Sequence, residues 1–109
     1  VAGATVVAAA HRRAEKLAKL KDVEAVQVDV TSEESVAAMF DGVVQRHGRV
    51  DVLVNSAGIA ASSESVESAD VAQFRKVLEV NVLGTFVCAK HAFRHNARRV
   101  INIGSISAI

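Results

Sequence analysis

Ser105 is the residue with the most direct chemical use. It follows Ile101-Asn102-Ile103-Gly104, and a hydroxyl placed after a short apolar run can donate a hydrogen bond to a ligand oxygen. No general base stands near it in the sequence, so it does not read as a nucleophile. Asn81 lies within Val80-Asn81-Val82-Leu83-Gly84-Thr85-Phe86, where asparagine and glycine are both poor helix formers. Two breaks of local preference so close together mark a functional or strained position, or a buried amide satisfied by a neighbouring loop. Asn55-Ser56-Ala57-Gly58 is a run of small residues that lets a ligand approach the backbone, with Gly58 suited to positive φ. Asp29 can accept from an amino group while the Val30 backbone contacts a ring, or it can close a local turn before Thr31. Arg12, between His11 and Arg13, can pair an anion through charge-assisted bonds worth about 1.5–3 kcal/mol each. The alternative is a basic helix start, which the helix dipole opposes.

Other polar residues carry less. His91 and His95 share a helix face, but no carboxylate or thiol near them in sequence completes a metal set, and no metal is expected. Cys88 reads as a small buried hydrophobe. Arg94, His95, Arg98 and Arg99 read as a solvated helix end, without the interleaved aromatics of a nucleic-acid surface.

These residues need a scaffold, and 109 residues suffice for one domain or part of one. Half of the chain is hydrophobic, too much for a disordered segment. A lone cysteine excludes a disulfide framework and makes a reducing, cytoplasmic setting the expectation. Formal net charge is +1, so charge argues for neither nucleic acid nor an anionic membrane. Apolar runs stop far short of the roughly 18 residues of a transmembrane helix. The chain contains no Tyr, which excludes any mechanism run on a phenol of its own.

Thr5 to Ala10 is short, small and nearly all apolar, the pattern of a strand covered on both faces. Ala14 to Lys21 reads as a short helix, and Val23 to Val30 as a second strand with Val26, Val28 and Val30 on one face. Thr31-Ser-Glu-Glu34 has the form of a capping box. The helix it opens carries Val36, Met39, Phe40, Val43 and Val44 as one stripe and ends at Gly48. Val50 to Val54 is the third strand, and 59–67 is a polar loop. A long helix is expected from about Ala69 to His95, followed by a fourth strand over Val100 to Ile103. The long helix has two apolar faces, one through Val71, Phe74, Leu78, Val82 and Ala89, the other through Val77, Val80, Gly84 and Val87. One should cover the sheet and the other should meet a partner.

Alternation of strand and helix predicts an α/β domain with a parallel sheet and right-handed crossovers. Ligands in such sheets bind beyond the carboxyl ends of the strands. That selects His11 to Arg13, Asp29-Val30, Asn55 to Gly58 and Gly104-Ser105. In a dinucleotide site an acid holds a free ribose 2′-hydroxyl, whereas an arginine pairs a 2′-phosphate. His11-Arg12-Arg13 therefore favours NADP over NAD.

Asp29-Val30-Thr31, Asp51-Val-Leu-Val-Asn55-Ser-Ala-Gly58, Val80-Asn81-Val-Leu-Gly84-Thr85-Phe86 and Val100-Ile-Asn-Ile-Gly104-Ser105 stand in the order and spacing of one family. Across essentially its whole length the chain resembles the short-chain dehydrogenases/reductases. The resemblance implies a Rossmann-type doubly wound parallel sheet, partial across 1–109, in an enzyme that oxidises alcohols or reduces carbonyls with NAD or NADP. It implies that Arg12 reads the 2′-phosphate, that Asp29 and Val30 hold the adenine, and that Asn55, Ala57 and Gly58 line the dinucleotide. Ser105 matches the serine that polarises the substrate oxygen, and Asn81 the asparagine that holds a water in the proton relay. Ser56 departs from the pattern, which usually has a second asparagine there.

The family's first strand and its glycine-rich phosphate loop are expected before Val1, and its Tyr-x-x-x-Lys pair beyond Ile109. The first strand belongs between the strands at 5–10 and 50–54, so the sheet of this segment should split and expose two edges. The resulting expectation is a segment of a reductase that acts on a small carbonyl or alcohol as a homo-dimer or homo-tetramer. The 109 residues alone are expected to fold poorly and be inactive. The alternative is a non-catalytic nucleotide-binding or structural module of the same fold. A flavodoxin-like signalling domain leaves the recurrence of Asn55 to Gly58, Asn81 and Ser105 unexplained.

Overall fold

A computed structural model describes residues 5–10, 19, 22–55 and 66–103. Strand β1 (Val6–Ala10) pairs in parallel with β2 (Val23–Gln27), in register from Val6 opposite Val23 to Ala10 opposite Gln27. Strand β3 (Val52–Asn55) pairs in parallel with β4 (Arg99–Asn102), from Val52 opposite Arg99 to Asn55 opposite Asn102. Among the described residues these are two separate two-stranded sheets. This is the split that the resemblance implies, since the family places a further strand between the two pairs.

Helix α1 (Glu33–His47) follows β2. Its cap is Ser32, whose hydroxyl accepts from the Ser35 N–H at 3.2 Å. The sequence points to Thr31 for this task. The Thr31 hydroxyl instead donates to Asp29 Oδ1 at 2.6 Å, and the cap moves on to Ser32. The same turn ends β2 at Gln27 rather than Val30, although Val28 N–H still reaches Ala10 O at 3.0 Å. Glu33 and Glu34 at the start of α1, and Arg46 and His47 at its end, both complement the helix dipole. Gly48 closes the helix at φ 87°, a conformation that costs glycine little.

The long helix is not one regular α-helix. Asp70 caps α2 (Val71–Leu78) by accepting from Ala72 N–H at 3.0 Å. A widened π-type turn spans Glu79–Leu83, and α3 runs over Gly84–Arg94. Of the expected loop at 59–67 only Val66 and Glu67 are described, in a short 3₁₀ turn over Val66–Ser68. The third strand begins at Val52 rather than Val50 and runs on to Asn55. The expected helix over Ala14 to Lys21 lies outside the described residues, apart from Lys19.

The core sits where α3 packs on one face of the β3–β4 pair and α1 packs against α3. Val28, Val36, Phe40, Cys88, Ala92 and Ala97 are buried there. Leu53 and Val100 meet them from the strands, and Val30 and Met39 from the β2–α1 side. His91 is the buried polar group among the described residues. Its Nε2 lies 2.9 Å from Glu33 Oε2, and its ring stacks on Phe40 at 6.3 Å between centroids. The α1 end is tied to β2, where Glu24 pairs with Arg46 at 2.5 Å and also with His47.

Candidate functional site

The described candidates sit at strand carboxyl ends and in the π-type turn. After β2 the chain reverses around Asp29. Asp29 Oδ1 accepts from Thr31 N–H at 3.0 Å and from the Thr31 hydroxyl at 2.6 Å. Asp29 N–H donates to Ser35 Oγ at 2.9 Å, and Asp29 O accepts from Ser32 N–H at 3.0 Å. The local turn therefore does form. It fixes the carboxylate beside Thr31 at the end of β2. Val30 follows, half-buried against the core.

Asn55 ends β3, directly opposite Asn102 of β4. Its Nδ2 donates to Asn102 Oδ1 at 2.9 Å, and its carbonyl accepts from Ile103 N–H at 2.9 Å. The side-chain amide is thereby held in one orientation at the end of the strand pair. Asn102 thereby joins the candidate site, with no role assigned to it from sequence. The available signal was a polar residue between Ile101 and Ile103, at the last paired position of its strand.

Asn81 lies at the centre of the π-type turn over Glu79–Leu83, half-buried. Its carbonyl accepts from the Thr85 hydroxyl at 2.7 Å. The doubly broken helix preference thus has a physical form, a rare kind of turn that is frequent at functional sites. Gly84, at the next turn, is buried. A Cβ built on it would stand 2.8 Å from Val30 Cγ2 and 3.0 Å from Val30 Cβ. The absent side chain lets the helix backbone lie directly on Val30. His11, Arg12, Ala57, Gly58 and Ser105 lie outside the described residues.

The remaining titratable groups are arranged for packing. Burial pushes the Cys88 thiol up, which keeps it protonated and a poor nucleophile. His91 pairs with Glu33, while His95 lies 3.4 Å from Asp41 and stacks on Phe40 at 6.0 Å. Each histidine thus has its own carboxylate, brought from α1 by the fold rather than by sequence neighbours. Among the described residues no three such groups come together to hold a metal ion. Glu33 is held below the ordinary glutamate value by hydrogen bonds from Lys90, at 2.7 Å, and from His91. An open cavity of about 390 Å³ lies at the opposite, amino-terminal ends of β3 and β4, lined in part by Arg49, Asp51, Arg94 and Arg98. It includes none of the candidate residues, and the chemistry of the strand carboxyl ends outweighs its size.

A family model described as Enoyl-(Acyl carrier protein) reductase matches residues 1–109. The chain is 41% identical over 85 residues to cis-4-hydroxycyclohexanecarboxylate dehydrogenase of Sinomonas cyclohexanicum, covering 74% of this chain and 34% of that protein. The crystal structure of gox2181 superposes with a TM-score of 0.88 at 32% identity, covering 97% of this chain and 46% of that one. ElxO, solved with NADP bound, superposes with a TM-score of 0.80 at 33% identity, over 90% of this chain and 44% of that one. The chain thus spans less than half the length of these relatives.

Proposed function

This chain belongs to the short-chain dehydrogenase/reductase family, and on that premise we propose that it supplies part of the active site of an NADP(H)-dependent oxidoreductase. The observation that carries the reading is the joint placement of a fixed Asp29 carboxylate, an oriented Asn55 amide and Asn81 in a widened helical turn. Asp29 and Val30 fit an adenine, the carboxylate accepting from its amino group and the Val30 backbone contacting its ring. Asn55, Ala57 and Gly58 line the dinucleotide. Arg12, next to His11, pairs the 2′-phosphate, a preference supported by the NADP bound in ElxO.

A nicotinamide held by these residues would supply or accept the hydride at a carbonyl or alcohol carbon. Ser105 donates a hydrogen bond to the oxygen on that carbon and stabilises the charge that develops there. Asn81 holds a water that passes the proton. The 109 residues contain no tyrosine, so a phenolic acid/base comes from outside them and the chain alone turns over no substrate. We assign the exposed stripe through Val71, Phe74, Leu78, Val82 and Phe86 to a homo-dimer or homo-tetramer interface. No helix among the described residues is long and apolar enough to cross a membrane. We place the protein in the cytoplasm on the strength of its single cysteine.

Steady-state kinetics of the full-length protein with NADPH and NADH test the reading. The substitution Arg12→Ala should weaken NADPH use by roughly 10- to 100-fold, the loss of one charge-assisted phosphate contact, and leave NADH nearly unchanged. Equal losses with both cofactors contradict the assignment of Arg12. Nucleotide binding without any carbonyl-dependent oxidation favours a non-catalytic module instead.

A further inference from the structure

We infer that Gly84 is a positioning residue that sets Asn81 against the Asp29-Val30 wall. The inference rests on the reading that Asp29-Val30 face the cofactor and Asn81 the reacting end. The contact itself is independent of that reading.

Three features make the contact rigid on both sides. On one side, Val30 directly follows Asp29, which is fixed through Thr31 N–H, the Thr31 hydroxyl, Ser32 N–H and Ser35 Oγ. Val30 therefore has little freedom to retreat. On the other side, Gly84 N–H reaches back to Glu79 O and closes the widened turn that contains Asn81. The Thr85 hydroxyl binds Asn81 O at 2.7 Å, which ties Asn81 to the same stretch of helix. Between the two sides the space is too small for one methyl group. A Cβ on Gly84 would meet Val30 Cγ2 at 2.8 Å and Val30 Cβ at 3.0 Å, closer than packed carbon atoms stand. The atoms met are the branch point and a methyl of a short, stiff side chain, which cannot swing aside as a long one does.

Gly84 therefore couples two parts of the site that are far apart in sequence. A side chain at this position forces the start of α3 away from Val30 and carries Asn81 with it. Displacements well under 1 Å are enough to degrade a placed catalytic group, and a full 1 Å costs up to about a hundredfold.

Gly84→Ala in the full-length protein tests this, because helix propensity and packing predict opposite signs. Propensity alone makes alanine the more stable residue in a helix. The contact predicts a fall in Tm of about 4 °C or more. It also predicts a kcat, at saturating cofactor, lowered by roughly 10- to 100-fold. Val30→Ala removes Cγ2, the nearer of the two atoms that the new Cβ would meet, and leaves only Cβ at 3.0 Å. In a Val30→Ala background, Gly84→Ala should cost less than half as much, on a logarithmic scale, in both measurements. A raised Tm, an unchanged kcat at saturation, or a loss as large in the Val30→Ala background overturns the proposal. If the unsubstituted protein transfers no hydride, the functional reading fails. The melting temperatures of the four proteins still decide whether Gly84 and Val30 are coupled.

Discussion

The seam between α1 and α3 and the outer stripe of α2 and α3 use the same kinds of residue, yet only one is closed. In the seam Phe40 is 2% exposed and Val36 is fully buried, facing Cys88 and Ala92. On the stripe Phe74 is 56% exposed and Phe86 63%, and α2 buries none of its residues. The β3–β4 pair repeats the contrast, with Leu53 and Val100 facing the core while Val52, Val54 and Ile101 stand exposed on the other side. Apolar periodicity therefore marks where a surface must be covered, not what covers it. Within these residues the cover for the seam comes from the chain itself. For the stripe we assign a second copy.

The strongest way to break this comparison is to truncate an aromatic ring on each side. Phe40→Ala should cost about 3–5 kcal/mol, because it empties a packed site between α1 and the two histidines stacked on it. Phe74→Ala should change the stability of a dissociated subunit by no more than about 0.5 kcal/mol. Chemical denaturation at low protein concentration measures both, and similar losses would erase the distinction between seam and stripe. A smaller effect sharpens the account of how α1 starts. Ser32→Ala should cost about 1 kcal/mol through loss of the cap, measured the same way.

The smallest effect concerns pH. Glu33 is lowered by hydrogen bonds from Lys90 and then His91, and Glu24 by the hydrogen bond from His47 and the charge of Arg46. A lowered carboxylate stabilises the fold above its unfolded value of 4.5 and loses that contribution as pH falls through its folded value. Stability should therefore decline below about pH 4.5, and Glu33→Gln should flatten part of that decline. High salt should weaken the effect, since these carboxylates are exposed. A decline of unchanged steepness in Glu33→Gln would remove Glu33 from the account.

Much of the architecture was legible because it rests on local pattern. The Val36–Phe40 stripe, the Gly48 stop and the two faces of the long helix follow from side-chain spacing. The split sheet followed from motif order. The boundaries were less legible where side chains compete for one backbone group. Thr31 and Ser32 both suit a helix cap, and only the turn at Asp29 decides between them. The π-type turn is announced by Asn81 and Gly84 as a break in helix preference, but the close approach of Gly84 to Val30, more than fifty positions earlier, is a long-range contact that spacing does not carry. The role of Asn102 was not legible, because its partner, Asn55, belongs to a different strand. The carboxylates facing His91 and His95 likewise come from α1 and not from the histidines' own helix.

The central claim is that this chain carries the substrate-oxygen contact of a reductase. Carbonyl-dependent NADPH oxidation by the full-length protein and by its Ser105→Ala variant tests it most directly. The account predicts turnover by the unsubstituted protein and a fall in kcat of roughly a hundredfold or more in the variant, the loss of one donor to the developing oxyanion. Undiminished turnover in the variant would contradict it.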